Sequence, residues 1–147
     1  MMATPANPLK AVDRVTAKFG GKDVIFAINR AELQGFEVAI GEPAQIRLNR
    51  LSSGRATIRD IREVLEYAAP PGYGRKIPTD HAQLMAIELA RSFNTHKKRP
   101  KTFVSDVLTS NPPLRYAVLA QGTLAAALHG IPETASHFDE DEEADVG

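Results

Sequence analysis

The sequence predicts an α+β fold, mainly α, in which an N-terminal β-hairpin is followed by about five helices packed as a small bundle. Three observations carry this reading. Residues 14–28 alternate polar and apolar side chains about a Gly20-Gly21 pair. Downstream, apolar residues recur at steps of three and four, in runs separated by Gly, Pro, Ser and Asn. The chain has 147 residues, 43% of them hydrophobic and 24% charged, which suits one domain with a core of its own.

Residues 1–11, with two prolines and little to bury, read as a disordered N-terminus, and residues 12–131 as a single domain. In the hairpin, Val15, Ala17 and Phe19 alternate with Arg14, Thr16 and Lys18, and Val24, Phe26 and Ile28 alternate with Ile25 and Ala27. Glycines supply the positive φ that tight hairpin turns require. A lone hairpin is marginal in water, so its apolar face has to pack on helices. Asn29, with Glu32 three residues on, predicts a capping box. Leu33, Phe36 and Ile40 then share a face, Gly41 is a C-terminal stop, and Gly35 weakens the helix by about 1 kcal/mol relative to Ala. Pro43 suits the first position of a second helix, with Ile46 and Leu51 turned inward and Ser52-Ser53-Gly54 at its end. Thr57 and Asp60 predict a second capping box, opening a helix whose stripe is Ile58, Ile61, Val64, Leu65 and Ala68.

Pro70-Pro71-Gly72-Tyr73-Gly74 is the strongest break in the body of the chain. Thr79 caps a fourth helix that runs to Phe93, with Leu84, Met85, Ile87 and Leu89 as candidates for burial. A short apolar piece, Phe103 to Leu108, precedes Asn111-Pro112-Pro113. The last helix spans Leu114 to His129 and stops at Gly130 and Pro132. It is apolar on more than one side, which marks the centre of a bundle or part of an interface. Neither an internal repeat nor a sustained heptad is present, so a solenoid or long coiled coil is not expected.

Charge is balanced overall, 18 basic against 18 acidic side chains, but unevenly placed. Residues 132–147 hold seven acids and no Lys or Arg, which leaves the rest of the chain at +7. That segment reads as a disordered acidic tail, with electrostatic cover of the basic body as a sharper alternative. It lacks the alternating oxygen ligands and turning glycine of a calcium loop. Arg55, Arg59 and Arg62 line one side of the third helix, and Lys97, Lys98, Arg99 and Lys101 form a second basic cluster. Such spacing could contact phosphates. With no tryptophan, 6% aromatics and no polar recognition helix, the clusters read instead as solvated surface. A small nucleic-acid-binding regulator remains the alternative function.

Catalytic signatures are missing. The chain has no cysteine, which excludes disulfides and thiolate metal sites and fits a reducing compartment. His81, His96, His129 and His137 are not spaced as metal ligands. Gly20-Gly21-Lys22 lacks the upstream glycine and the following Ser or Thr of a phosphate loop, and Ser52 and Ser53 do not form a nucleophile elbow. The expectation is a protein that is not an enzyme, with no cofactor and no metal. The N-terminus has no basic region followed by an apolar stretch. The most apolar run, Tyr116 to Leu128, falls short of the roughly 20 residues of a membrane span, so a soluble cytoplasmic protein is expected.

One resemblance adds to this. A hairpin around Gly20-Gly21-Lys22-Asp23 is followed directly by Ala31-Glu32-Leu33-Gln34-Gly35-Phe36-Glu37. A short segment ending in a Ser/Gly turn comes next, then Thr57-Ile58-Arg59-Asp60-Ile61-Arg62-Glu63-Val64-Leu65. This order, from Val15 to Ala68, resembles the tail assembly chaperone family of gene transfer agents and related siphophages. Ala117-Val118-Leu119-Ala120-Gln121 through Leu128-His129-Gly130 looks like that family's alanine-rich terminal helix, whereas residues 70–101 are longer than its pattern. The resemblance implies a non-enzymatic assembly factor of the host cytoplasm that coats the tape-measure protein and helps tail-tube subunits polymerise around it. The implied partners are the tape-measure protein and the tail tube protein, with several copies of the chain along one tape. Expected partner-binding residues are Leu114, Val118, Leu119, Ala125 and Leu128. Val118, Gln121, Ala125 and Leu128 share one side of the helix, and Leu119, Gly122 and Ala126 an adjacent side. Which side faces the core is not decided by spacing. A structural tail or neck component of the virion is the remaining alternative.

Overall fold

The computed structural model describes residues 10–75, 85, 89 and 101–140. The expected cap Thr79, the burial candidates Leu84 and Ile87, and the basic residues Lys97, Lys98 and Arg99 lie outside the described residues. The fold is α+β and mainly α. Its strands are β1 (Ala11–Val12), β2 (Arg14–Phe19), β3 (Lys22–Ala27), β4 (Ile131–Pro132) and β5 (His137–Asp139). Its described helices are α1 (Leu33–Ile40), α2 (Ala44–Ser52), α3 (Ile58–Ala68), α4 (Phe103–Ser110) and α5 (Ala117–His129).

The hairpin forms as its alternation requires. β2 and β3 pair antiparallel, with Val15 opposite Phe26 and Ala17 opposite Val24 on the inner face, and Thr16 opposite Ile25 on the outer face. Val15, Ala17, Phe19, Val24, Phe26 and Ile28 are all buried. Gly20 and Gly21 have φ of 61° and 77°, positive at both central positions, as a turn matched to the strand twist needs. Gly20 is also packed: a Cβ there would lie 2.5 Å from Val107 Cγ2 and 2.7 Å from Phe103 Cζ. Phe19, at the base of the turn, meets Phe26, Phe103 and Tyr116 edge-on at centroid distances of 5.3, 5.9 and 5.1 Å.

Among the helices, sequence spacing holds in part. The Asn29 capping box does not form. A 3-10 turn at Arg30–Glu32 precedes α1, so the Glu32 N–H finds the Asn29 carbonyl at 2.8 Å and the Asn29 amide is left to bond the Glu32 carboxylate. Phe36 is buried, with Leu33 and Ile40 partly so. Pro43 sits just before α2, and the orphan N–H of Ala44 is taken by Glu37 Oε2 at 2.7 Å. The inward face of α2 is Ala44, Arg47, Leu48 and Leu51, while Ile46 is 47% exposed. Arg47 is thus turned in where Ile46 was expected. The Thr57–Asp60 box closes in both directions, at 3.1 and 2.9 Å. Ile61, Val64, Leu65 and Ala68 are buried, whereas Ile58, in the first turn of α3, is half exposed. Met85 and Leu89 are helical but more than half exposed, against the expectation of burial.

Arg47 can be buried because carboxylates converge on it. Its guanidinium reaches Glu42 at 2.6 Å, Asp60 at 3.2 Å and Glu63 at 3.0 Å. Arg50 forks onto Asp60 at 3.1 and 2.9 Å and onto both oxygens of Glu42. Burial alone would raise the pKa of Asp60. The Arg50 hydrogen bonds, the Thr57 backbone N–H and the two guanidinium charges outweigh it and hold the carboxyl at about 2. The same Arg50 contacts, helped by Arg47, lower Glu42. This cluster clamps the Glu42 loop and α2 to the N-terminus of α3.

α5 lies in the middle of the molecule, in contact with α2, α3, β2, β3 and β4. The chain does not become disordered at 132. β4 pairs with β1, so Ala11 belongs to the fold rather than to a disordered N-terminus, and β5 runs parallel beside β2 to make a sheet of order β3-β2-β5. The cause is legible in two side chains. Phe138 sits beside Ala17 on the inner face and tilts on Tyr116 at 6.2 Å. Glu140 is buried, its carboxylate accepting from the Gly21 N–H and the Tyr116 hydroxyl, each at 2.9 Å. Burial would raise its pKa, but the Gly21 and Gly20 N–H groups, Tyr116 and the Arg115 charge lower it instead.

Two tests address the cluster. Arg47→Ala removes the buried guanidinium from Glu42, Asp60 and Glu63, leaving the first two to Arg50, and should cost about 3 kcal/mol in urea unfolding, against less than about 0.5 kcal/mol for Arg55→Ala on the surface. The folded pKa of Asp60 lies below its unfolded value. Its contribution to stability is therefore complete above about pH 4 and is lost as the pH falls towards 2. A urea series over that window should show the loss, and Asp60→Asn should make it shallower, the remainder coming from Glu42 and Glu140, which are also lowered.

Candidate partner-binding face

The residues of α5 divide cleanly around its axis at 100° per residue. Leu119, Ala120, Thr123, Leu124, Ala126 and Ala127 are buried and occupy one continuous arc. The buried hydroxyl of Thr123 donates to the Leu119 carbonyl at 2.8 Å, so this arc contains no unpaired polar side chain. Val118, Gln121, Gly122, Ala125, Leu128 and His129 fill the other arc, half-buried or exposed. Val118 is 67% exposed. One turn earlier, in a 3-10 turn at Pro113–Tyr116, Leu114 is 61% exposed. Leu114 and Val118 are four residues apart and form the most exposed apolar pair at this end of the chain.

The open arc is bordered by a shallow groove of about 230 Å³. Val118, Gly122 and Ala125 line it from α5, and Val15, Ile131, Ala135, His137 and Phe138 complete it. α5 passes β2 at Gly122, where a Cβ would stand 3.6 Å from Val15 Cγ2, an ordinary packing distance. Gln121 and His137 add polar edges to an otherwise apolar surface. At the far end of the helix, His129 Nε2 and Gln45 Oε1 are 2.7 Å apart and tie α5 to α2.

Of the five expected binding residues, the structure brings Val118 and Ala125 into this groove and leaves Leu114 exposed outside its lining. Leu128 is half-buried against the core. Leu119 has to be corrected. Although it reaches the inner edge of the groove, it is 1% exposed and belongs to the core, because its position on the helix points between α3 and the sheet. Spacing alone did not reveal the groove's second wall. Its signals are Ile131, the last residue of the expected domain, and Phe138, an apolar residue within the acidic stretch.

Among the described residues, the basic side chains of the third helix region do not make a comparable site. Arg55 and Arg59 are exposed, Arg62 is half-buried, and Arg59 stands 3.6 Å from Glu63. A second hollow of about 410 Å³ lies at the hairpin tip, among Gly20, Gly21, Asp106, Asn111, Arg115 and Glu140. Among the described residues, no group of three or more His, Asp or Glu side chains is arranged to hold a metal, and no helix is long and apolar enough to cross a membrane. No protein-family model matches the chain, and comparison with curated proteins and with solved structures gives no match.

The division of α5 can be tested without any partner. Leu119→Asp places an unpaired carboxylate in the core and should abolish the helical circular dichroism signal. Val118→Asp should preserve it, with a stability change below about 0.5 kcal/mol.

Proposed function

We propose that the chain is a protein-binding assembly factor of the tail assembly chaperone type, acting in the host cytoplasm, whose groove along α5 covers an apolar stretch of a tape-measure protein. The observation that carries this reading is the open arc of α5. Leu114 and Val118 stand exposed four residues apart, and Val118 lines a groove that is mostly apolar, with Gln121 and His137 among its walls. A monomer gains nothing from exposing such a strip, whereas an amphipathic helix laid along it would bury both surfaces. The order of hairpin, short helices and terminal alanine-rich helix supports the family reading.

The mechanism follows from the physics of a long tape. Before a tube encloses it, the apolar side of a tape-measure protein faces water and drives aggregation. A shallow groove holds one such segment weakly, and several copies along one tape gain avidity while each stays displaceable. Arriving tube subunits then exchange with the chaperone one copy at a time.

Co-expression with the cognate tape-measure protein should keep that protein soluble and recover several copies of this chain per tape. Val118→Asp, checked for an unchanged circular dichroism spectrum, should abolish co-purification, because a carboxylate buried in the interface without a partner costs several kcal/mol. A wild-type chain that leaves the tape insoluble, or a folded Val118→Asp variant that still co-purifies, would refute the reading.

A further inference from the structure

The outer edge of β2 is built as a receptor for a short extended segment. The segment it holds, residues 136–140, is seated by two kinds of contact. Its main chain is held at both ends: the Thr16 N–H donates to the Ser136 carbonyl at 2.8 Å, and the Glu140 N–H points to the Lys18 carbonyl at 3.4 Å. Its side chains are read in alternation. His137 and Asp139 flank Thr16 and Lys18 on the outer face, while Phe138 enters beside Ala17 and meets the Tyr116 ring. The Glu140 carboxylate then closes the site on the Gly21 N–H and the Tyr116 hydroxyl. The site therefore selects an aromatic residue followed two positions later by a carboxylate.

Little else depends on this segment. Phe138 is its one contribution to the apolar core, and it is only partly buried there. β4 is anchored separately on β1. The link between β4 and β5 is a 3-10 turn at Glu133–Ala135, closed by bonds from the Ser136 N–H and hydroxyl to the Glu133 carbonyl. Opening that turn would free residues 136–140 and uncover the Tyr116 ring and the groove side of α5 until the place is refilled.

We infer that this edge of β2 is an exchangeable strand-acceptor site, and that on assembly it takes residues 136–140 from a second copy of the chain in place of its own. A second copy is the occupant of choice because it carries the one sequence seen to satisfy the register, the aromatic position and the carboxylate position together. Exchange reproduces every contact of the closed form, so only the opened turn and the lost freedom of association stand against it. Reciprocal exchange would give a closed dimer, and one-way exchange a head-to-tail row. The inference does not rest on the tape-binding reading, although the exchanged segment carries His137 and Phe138, which wall the groove beside α5.

The absence of cysteine from the chain makes a clean test available. Thr16 and His137 are register partners across the β2–β5 pair. Chains carrying Thr16→Cys and chains carrying His137→Cys, with tags of different size, are mixed at rising concentration, oxidised gently and separated without reductant. A Thr16→Cys/Ser110→Cys mixture measures random collision between surface thiols. Strand exchange should raise the heterodimer at least about tenfold over that control, because a seated strand holds the thiols at high effective concentration. An added peptide of residues 134–140 should suppress it, and so should Phe138→Ala in the donor chain. The doubly substituted Thr16→Cys/His137→Cys chain should close its own disulfide when dilute. Heterodimer at the control level, with that intrachain disulfide formed, would overturn the inference and leave the edge to its own segment or to a strand from another protein. Failure of the intrachain disulfide to form would remove the acceptor site itself.

Discussion

A helix without a polar face has to be walled in, and the rest of the molecule is arranged around that requirement for α5. Its buried arc is covered by α2, α3 and the hairpin, and its one buried hydroxyl is satisfied within the helix. The sheet exists to supply one of these walls. Only with α5 against it does a two-stranded hairpin become stable. The arc left over carries Gln121 and His129 beside Val118, Ala125 and Leu128, and the fold walls it only in part, through Val15, Ile131 and Phe138.

The ionic cluster solves a different problem. α2 is short, with polar and charged residues on much of its surface, and offers Leu48 and Leu51 as its large buried side chains. Arg47 extends its inward face, but a guanidinium can be dehydrated only if its charge is matched at close range. Glu42, Asp60 and Glu63 arrive from a loop and from α3, so the charges are matched only when both helices are in place. Asp60 serves twice, as the capping partner of Thr57 and as the acceptor for Arg50. Cap and clamp are therefore one unit, which ties the start of α3 to the position of α2.

What could be read in the sequence was local. The hairpin register, the paired glycines and the Thr57–Asp60 box each depend on residues a few positions apart, and each formed as expected. The open and buried arcs of α5 were grouped correctly in the main, but nothing local decides which arc faces inward. That depends on where β2 and α3 lie. Arg47 takes the inward place expected of Ile46 for the same reason, since the carboxylates that admit it are up to 16 residues away. The largest misreading, of residues 132–140 as part of a disordered tail, came from averaging charge over a window. Phe138 and Glu140 each find a buried place prepared by residues more than 20 positions upstream, and composition does not register such places.

The pairing of β5 with β2 has a consequence for synthesis. Gly21 and Glu140, which share a hydrogen bond, are separated by 119 residues. A ribosome adding roughly 5–20 residues per second needs about 6–24 s to produce that interval. Throughout it the apolar face of the hairpin waits for α5, and the outer edge of β2 waits longer still. Folding of the sheet is thereby coupled to completion of the described chain. In a polysome, neighbouring nascent chains would hold unfilled β2 edges side by side at high local concentration, so the order of translation itself influences whether each edge is filled from within.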